Sequence, residues 1–392
     1  MSSTISSTSD AVSALRPLVV EEPERLAPYL AAWDALAAAA GRPFCAPAWL
    51  LAWWREGRSG DARLRVVLAL DADGELVGVG PFFAQVGPLR LAEYRLLGAG
   101  FCHRIGPLAR SGREREVAAA IAAGLASASP PVASVVFEGI DGADLWPELV
   151  ADGWVRARGG RRPRLRTDVT MDAPTLALDA DYEAWMARRQ RSFRKEARRV
   201  ARRLEEEGVT RRLTNEPTAI AALLDLHHAR WDERGGSSVG DEAKRVAIEA
   251  SRLLDDEARM AVALLEGPDG PIAAELVLRA GEAVVFWTGG FDPAWAKLAP
   301  GTQAMLLALE AAAAGGVREV DLGGGAHEYK WRMADGNRPL AWRTLFPLGR
   351  RYPLIRLRLA PKHVRFAARE LARRLPAERQ AQLRRLLRRG SR

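Results

Sequence analysis

Two carboxylates fall inside apolar, strand-like runs: Glu275 in AAELVL and Asp321 in VREVDL. A charge on a buried strand must find a partner or give up its charge, so each is either a structural acceptor or an acid–base group. Both readings stay open at Glu275, whereas Asp321 reads first as a cap that orients the Gly323-Gly324-Gly325 turn. His327, Glu328, Tyr329 and Lys330 follow that turn, and a lysine behind a flexible glycine turn at a strand end reads either as a surface lysine or as a functional one. Upstream, Pro300-Gly301-Thr302 opens the helix-forming run QAMLLALEAAAA. Such a helix tip presents free N–H groups, here at positions 301–304, and the positive end of the helix dipole. It favours a phosphate; Gly301 lets a ligand approach the backbone, and Lys297 adds a charge.

These groups meet only if the elements between them are arranged accordingly. Val284 to Trp287 is a β-branched and aromatic strand that breaks at Gly289-Gly290, a loop leads to the helix, Gly315-Gly316 stops it, and VREVDL is a second strand. Two parallel strands joined by a crossover helix put the helix N-terminus and both strand ends on one side of a sheet, where ligands bind in open α/β sheets.

Other chemistries are excluded by what the chain lacks. There is no obvious nucleophile elbow or Cys-His pair for a covalent route. Five histidines without an HExxH pair speak against a zinc enzyme, so no metal is expected, and Cys45 and Cys102 give no disulfide framework. The 392 residues exceed what one core usually organises, which predicts two domains. No signal-peptide pattern or apolar run of membrane-spanning length is present, so a soluble cytoplasmic protein is expected. The net charge of +9 is uneven: residues 350–392 hold 15 Arg/Lys against 2 Asp/Glu, and residues 188–203 hold 9 against 1. Everything else is net acidic, so these two segments are the surfaces for an anionic partner.

In chain order, residues 1–15 are Ser/Thr-rich and expected to be disordered. Glu21 to Ala40 reads as a helix, Pro47 starts a second one whose Trp49, Trp53 and Trp54 pack a core, and RLRVVLALDADGELVGVGPFFAQ is a hairpin around Asp73-Gly74. A further strand, a helix from Arg113 to Ala128, a strand from Val132 to Glu138 and a short helix from Asp144 to Asp152 complete a first unit, 16–165. The second, 166–348, runs from TDVTMDAP through a long helix from Asp181 to Glu207, helices from Thr218 to Arg234 and Asp241 to Asp255, three strands and the unit above to a final strand around Trp342 to Pro347. Residues 349–392 form a basic, amphipathic helical tail suited to an anionic membrane or polyanion.

The basic helix SFRKEARRVARRLEEEG, the segment LHHARWDERGG, the strand GPIAAELVL, the stretch FWTGGFDPAWAKLAPGTQAM and the sequence VDLGGGAHEYKWR occur in this order over about residues 170–340. Together they resemble the GNAT superfamily, and more closely its BioF2-like (CelD-like) acetyltransferase group, related to the FemAB peptidoglycan aminoacyltransferases. The resemblance implies an α/β fold of tandem GNAT-like domains, each a twisted mixed sheet flanked by helices, the second keeping the active cleft. It implies central strands splayed at a bulge near Trp287, Gly289 and Gly290, a pantetheine arm between them, and a pyrophosphate at Gly301-Thr302. Where the family's loop is Gln/Arg-x-x-Gly-x-Gly/Ala, this chain has Lys297-Leu298-Ala299-Pro300-Gly301-Thr302, one glycine fewer.

The implied activity is N-acyl transfer, of acetyl above all, from an acyl-CoA to an amine on an amino-sugar or amino-acid intermediate of envelope or exopolysaccharide biosynthesis. Glu275 and Asp321 become candidate bases, Tyr329 and Lys330 match the family's Tyr/Phe-Lys pair beside the cleft, and Arg230, Trp231 and His327 are candidates for the acceptor pocket. Two alternatives stand beside it. One is an aminoacyl-tRNA-dependent transferase whose RNA is steered by the basic helix; the other is an inactive GNAT-fold scaffold for polysaccharide synthesis.

Overall fold

Apolar runs punctuated by glycine turns build two seven- and eight-stranded sheets. The computed structural model describes residues 14–87, 90–178, 181–232, 239–254, 256–349, 352–355 and 357, with the side chains of Trp231 and Asp232 outside that description. The segment expected to be disordered, 1–15, falls outside the described residues up to residue 13, and its Leu15 is buried. Most of the expected basic tail, 349–392, also lies outside them.

The first sheet and its helices comprise β1 (Arg16–Val20), α1 (Leu30–Ala39), α2 (Pro47–Glu56), β2 (Arg63–Leu70), β3 (Leu76–Val86), β4 (Ala92–Leu96), β5 (Leu108–Ala109), α3 (Glu114–Ser127), β6 (Val132–Asp141), α4 (Trp146–Arg158) and β7 (Arg164–Met171). Then come β8 (Pro174–Ala177), α5 (Tyr182–Ala187), α6 (Arg191–Glu206), β9 (Thr210–Thr214), α7 (Pro217–Asp232), α8 (Asp241–Leu254), β10 (Met260–Gly267), β11 (Gly270–Ala280) and β12 (Ala283–Phe291). The chain continues through α9 (Pro300–Ala314), β13 (Glu319–Asp321), α10 (Glu328–Trp331), β14 (Gly336–Asn337) and β15 (Leu340–Phe346). Strand order is β1-β2-β3-β4-β6-β15-β7 in the eight-stranded sheet, whose β5 pairs with β3 off this path, and β14-β8-β13-β12-β11-β10-β9 in the seven-stranded one.

Each sheet holds one parallel pair, β4 with β6 and β12 with β13, and each pair is joined through a helix, α3 or α9. The repeated unit is a hairpin, a third strand, a crossover helix and a parallel strand. This is the tandem of mixed sheets with flanking helices expected from the sequence.

Four local expectations are corrected. The first helix does not span Glu21 to Ala40: Pro23–Tyr29 is a 3-10 turn, because Pro28 has no N–H for the α-helical ladder, and α1 begins only at Leu30. The long helix expected from Asp181 breaks at Arg188 to Gln190, where Arg189 turns back to donate to the carbonyls of Met333 and Ala334. Gly153 does not end a helix. It sits inside α4 because a Cβ there would lie 2.9 Å from the Ala118 carbonyl, so it marks the close crossing of α3 and α4. Finally, β15 does not close the second sheet: it inserts antiparallel between β6 and β7, covering an edge the first sheet would otherwise leave open.

The two halves share a core. Residues of α7, α8, β10 and β11 pack with α2, β2 and β3 in one buried cluster, and charged pairs such as Arg259 with Asp34 (2.8 Å) and Arg55 with Glu249 (2.7 Å) cross the seam. Among the described residues no helix is long and apolar enough to cross a membrane.

Candidate active site

The site is built where β12 loses its partner. On one side β12 runs antiparallel to β11, with Glu275 opposite Gly289 and Ala274 opposite Gly290; the register slips between Phe286 and Thr288, leaving Trp287 as a bulge. On the other side it pairs with β13 only from Ala283 to Val285. Beyond that point β13 turns away, the Leu322 N–H bonding the Pro174 carbonyl. A cleft of about 210 Å³ opens there, lined by Arg230, Glu275, Gly289, Gly290, Phe291, Gly301, Thr302, Met305 and Tyr329 among others. Seven of the residues singled out in the sequence therefore line one cleft.

Glu275 projects over Gly289: a Cβ added at Gly289 would collide with the Glu275 carboxylate, so the glycine makes room for the acid. The side chain is buried, and among the described residues no hydrogen bond or ion pair reaches it. Burial pushes its carboxyl up to about 8, against the lowering influence of Lys330 and then Arg230. Gly290 has a different task. A Cβ there would run into the backbone of His227, so this glycine lets α7 press against β12.

Tyr329 and Lys330 sit on α10, which folds back over the glycine turn. The Lys330 ammonium is buried and donates to the carbonyls of Gly323 (3.1 Å) and Gly324 (2.9 Å). Burial lowers its pKa, opposed by Glu275 and Asp321. Tyr329 is pushed up to about 12, chiefly by burial, so its hydroxyl keeps its proton. His327 is exposed and stacks on Tyr329, with ring centroids 5.9 Å apart. The Arg230 guanidinium lies 4.6 Å over the Phe291 ring at the cleft wall. The side chain of Trp231, also expected in the acceptor pocket, lies outside the described residues.

The helix tip is less open than expected. Ala299 adopts a left-handed conformation (φ 41°) and its carbonyl accepts from Thr302 N–H at 3.0 Å, so one of the amides expected to be free is already bonded. Gly301 packs against Phe291, where a Cβ would come within 3.2 Å. Lys297 is exposed on the preceding turn and does not line the cleft.

The Trp287 side chain does not line the cleft, and Asp321 takes the first of its two sequence readings, orienting the glycine turn. The Trp287 indole is turned away from the cleft: it donates to the Phe101 carbonyl (3.1 Å) and packs on Trp49 and Phe101, so it serves the seam between the halves. Asp321 is engaged elsewhere too. It pairs with Arg104 and with His103 (3.2 Å) and accepts from Gly323 N–H (2.8 Å). Burial opposes this charge, but His103 and Arg104 outweigh it and hold the carboxyl well below the usual range. An acid so strong is a poor base. Asp321 also borders a second cavity, of about 300 Å³, between the halves, where Arg42 pairs with Asp144 and Arg104 with Asp141.

Sequence reasoning missed His103, Arg104 and the role of His227. The His227 Nδ1 donates to the Gly289 carbonyl at 2.9 Å, which fixes the strand beneath Glu275, and burial lowers its pKa. The His227-His228 pair in the sequence was its only signal. On α6, Phe193, Ala197, Val200 and Leu204 are buried while Arg191, Lys195, Arg198 and Arg202 are exposed, so the helix carries its cations on the outward face. Among the described residues no group of three or more His, Cys, Asp or Glu could hold a metal ion.

Comparison with known proteins agrees with this geometry. Residues 191–331 match the family described as Acetyltransferase (GNAT) domain. The whole fold is similar to a crystal structure of FemX, with a TM-score of 0.60 at 11% identity over 87% of this chain and 99% of that one. A conserved protein of unknown function from Bacteroides thetaiotaomicron VPI-5482 is similar at a TM-score of 0.50 and 10% identity, over 84% and 99%. Among curated protein sequences none matches the chain. Residues 191–331 are thus similar to the acetyltransferase (GNAT) domain family, and they lie within a fold of paired mixed sheets similar to that of FemX.

Proposed function

We propose that this GNAT-fold acyltransferase moves an acyl group from a CoA thioester directly to an amine. The thioester end lies along the freed edge of β12 and the donor's phosphates lie at the start of α9. Glu275, as carboxylate, takes one proton from the acceptor ammonium; the freed lone pair attacks the thioester carbonyl, the C–S bond breaks as the Tyr329 hydroxyl protonates the departing thiolate, the second proton shed by the new amide nitrogen restores that hydroxyl, and Glu275 releases its proton to water. Lys330 stays with the glycine turn and acts on Glu275 through its charge. The single observation that carries the reading is Glu275: a buried carboxyl, without a hydrogen bond among the described residues, in the same cleft as Gly301 and Thr302.

The acyl chain and the acceptor are open to test. Arg230 at the wall favours an acceptor or donor bearing a negative group, consistent with the amino-sugar or amino-acid class. A thermal-shift screen of CoA esters should raise the melting temperature of the wild type, and Gly301→Glu, which sets a carboxylate at the phosphate end, should abolish the rise. No rise with any acyl-CoA would sink the reading. A tRNA-borne donor is the second reading, favoured by the row of exposed cations on α6 that points away from the buried face. Salt-sensitive tRNA binding would support it.

A further inference from the structure

We propose that Arg104, from the first half of the chain, is a positioning residue for the Lys330 ammonium in the second. The link is continuous in hydrogen bonds. Arg104 Nε meets Asp321 Oδ2; Asp321 Oδ1 accepts from Gly323 N–H at 2.8 Å; and the Gly323 and Gly324 carbonyls accept from Lys330 Nζ at 3.1 and 2.9 Å.

The arginine itself is held on every side. Its Nη1 donates to Asp141 (2.6 Å), its Nη2 to the Arg338 carbonyl (2.6 Å) and its backbone N–H to Gly139 (2.6 Å). Its backbone carries φ of +52°, a left-handed conformation that a non-glycine residue keeps only where the surroundings impose it. A guanidinium held this firmly fixes the Asp321 carboxylate, and the carboxylate in turn fixes a turn made of three glycines that has little stiffness of its own. His103 Nε2 also lies 3.2 Å from Asp321 Oδ2.

The consequence reaches the cleft. Glu275 is faced by Lys330 and Tyr329 from α10 and by Arg230 from α7. Of these, Lys330 is the cation whose place depends on Arg104. Loosening the turn releases the ammonium from its two carbonyls and weakens its hold on the Glu275 charge.

The inference deepens the acyl-transfer reading, but its test reads the lysine itself. Competitive acetylation with acetic anhydride, followed by peptide mass spectrometry, gives the reactivity of Lys330 relative to the exposed Lys297 in the same molecule. In the wild type Lys330 should react at least tenfold more slowly than Lys297. Arg104→Ala should raise the ratio about tenfold, Arg104→Lys should restore part of the protection, and Arg259→Ala, which breaks the pair with Asp34 elsewhere on the seam, should leave it unchanged. A cooperatively melting Arg104→Ala protein with an unchanged ratio overturns the proposal. If that variant does not fold, Asp321→Asn decides by the same ratio. An enzyme without acyl-CoA activity but with the tenfold gain would remove the acyl-transfer reading and leave this one standing; intact acyl transfer with an unchanged ratio would do the reverse.

Discussion

At pH 7 the Glu275 carboxyl is largely protonated, because burial carries it up to about 8. If its carboxylate is the base, kcat/KM should rise with pH and level off above about 8, and Glu275→Gln should lower kcat by about 10²- to 10⁴-fold while removing that rise. A stability effect runs the other way. A carboxyl raised in the folded state contributes stability that is full below its unfolded pKa of 4.5 and falls as pH climbs through 8. Denaturant unfolding should therefore show Glu275→Gln gaining on the wild type between those pH values, by at most about 4–5 kcal/mol. The lone charge in AAELVL marked this residue in the sequence, with a structural acceptor and an acid–base group as equal readings. It could not announce where Asp321 goes: His103 and Arg104 lie more than 200 positions away, and no local pattern links them.

Elements were legible where local chemistry alone decides them. The turn at Asp73-Gly74 and the start of α9 at Pro300 follow from backbone preferences. The parallel pair β12 and β13 follows from the crossover helix between them. The break between α5 and α6 and the passage of α4 through Gly153 were not legible, since tertiary neighbours impose both. The same distinction sorts the glycines. Gly290→Ala should destabilise the protein by about 3 kcal/mol in urea unfolding, because its Cβ meets the unyielding backbone of α7. Gly74→Ala, at φ of 84° with nothing within 4 Å, should cost only about 1 kcal/mol, the strain of its left-handed turn.

Across the whole molecule the duplicated pattern was readable, but the seam was not. The sequence divides neatly near residue 165, yet the first sheet needs β7 and β15, and the shared core mixes α7 and α8 with α2. A fragment of residues 14–172 should therefore fail to melt cooperatively in calorimetry, its β6 edge bare, while the same fragment with a peptide of residues 336–349 added in trans should recover a transition. Independent cooperative melting of the fragment alone would contradict this.

The late arrival of β15 also bears on biosynthesis. The first sheet cannot close until residue 346 has cleared the ribosome, so β6, which ends at Asp141, waits while the next 205 residues (346 − 141) are made, with a row of unpaired amides on its edge. That interval is when a chaperone would be needed most, and it makes the order of emergence, rather than the final contacts, the point at which this protein is easiest to lose to aggregation.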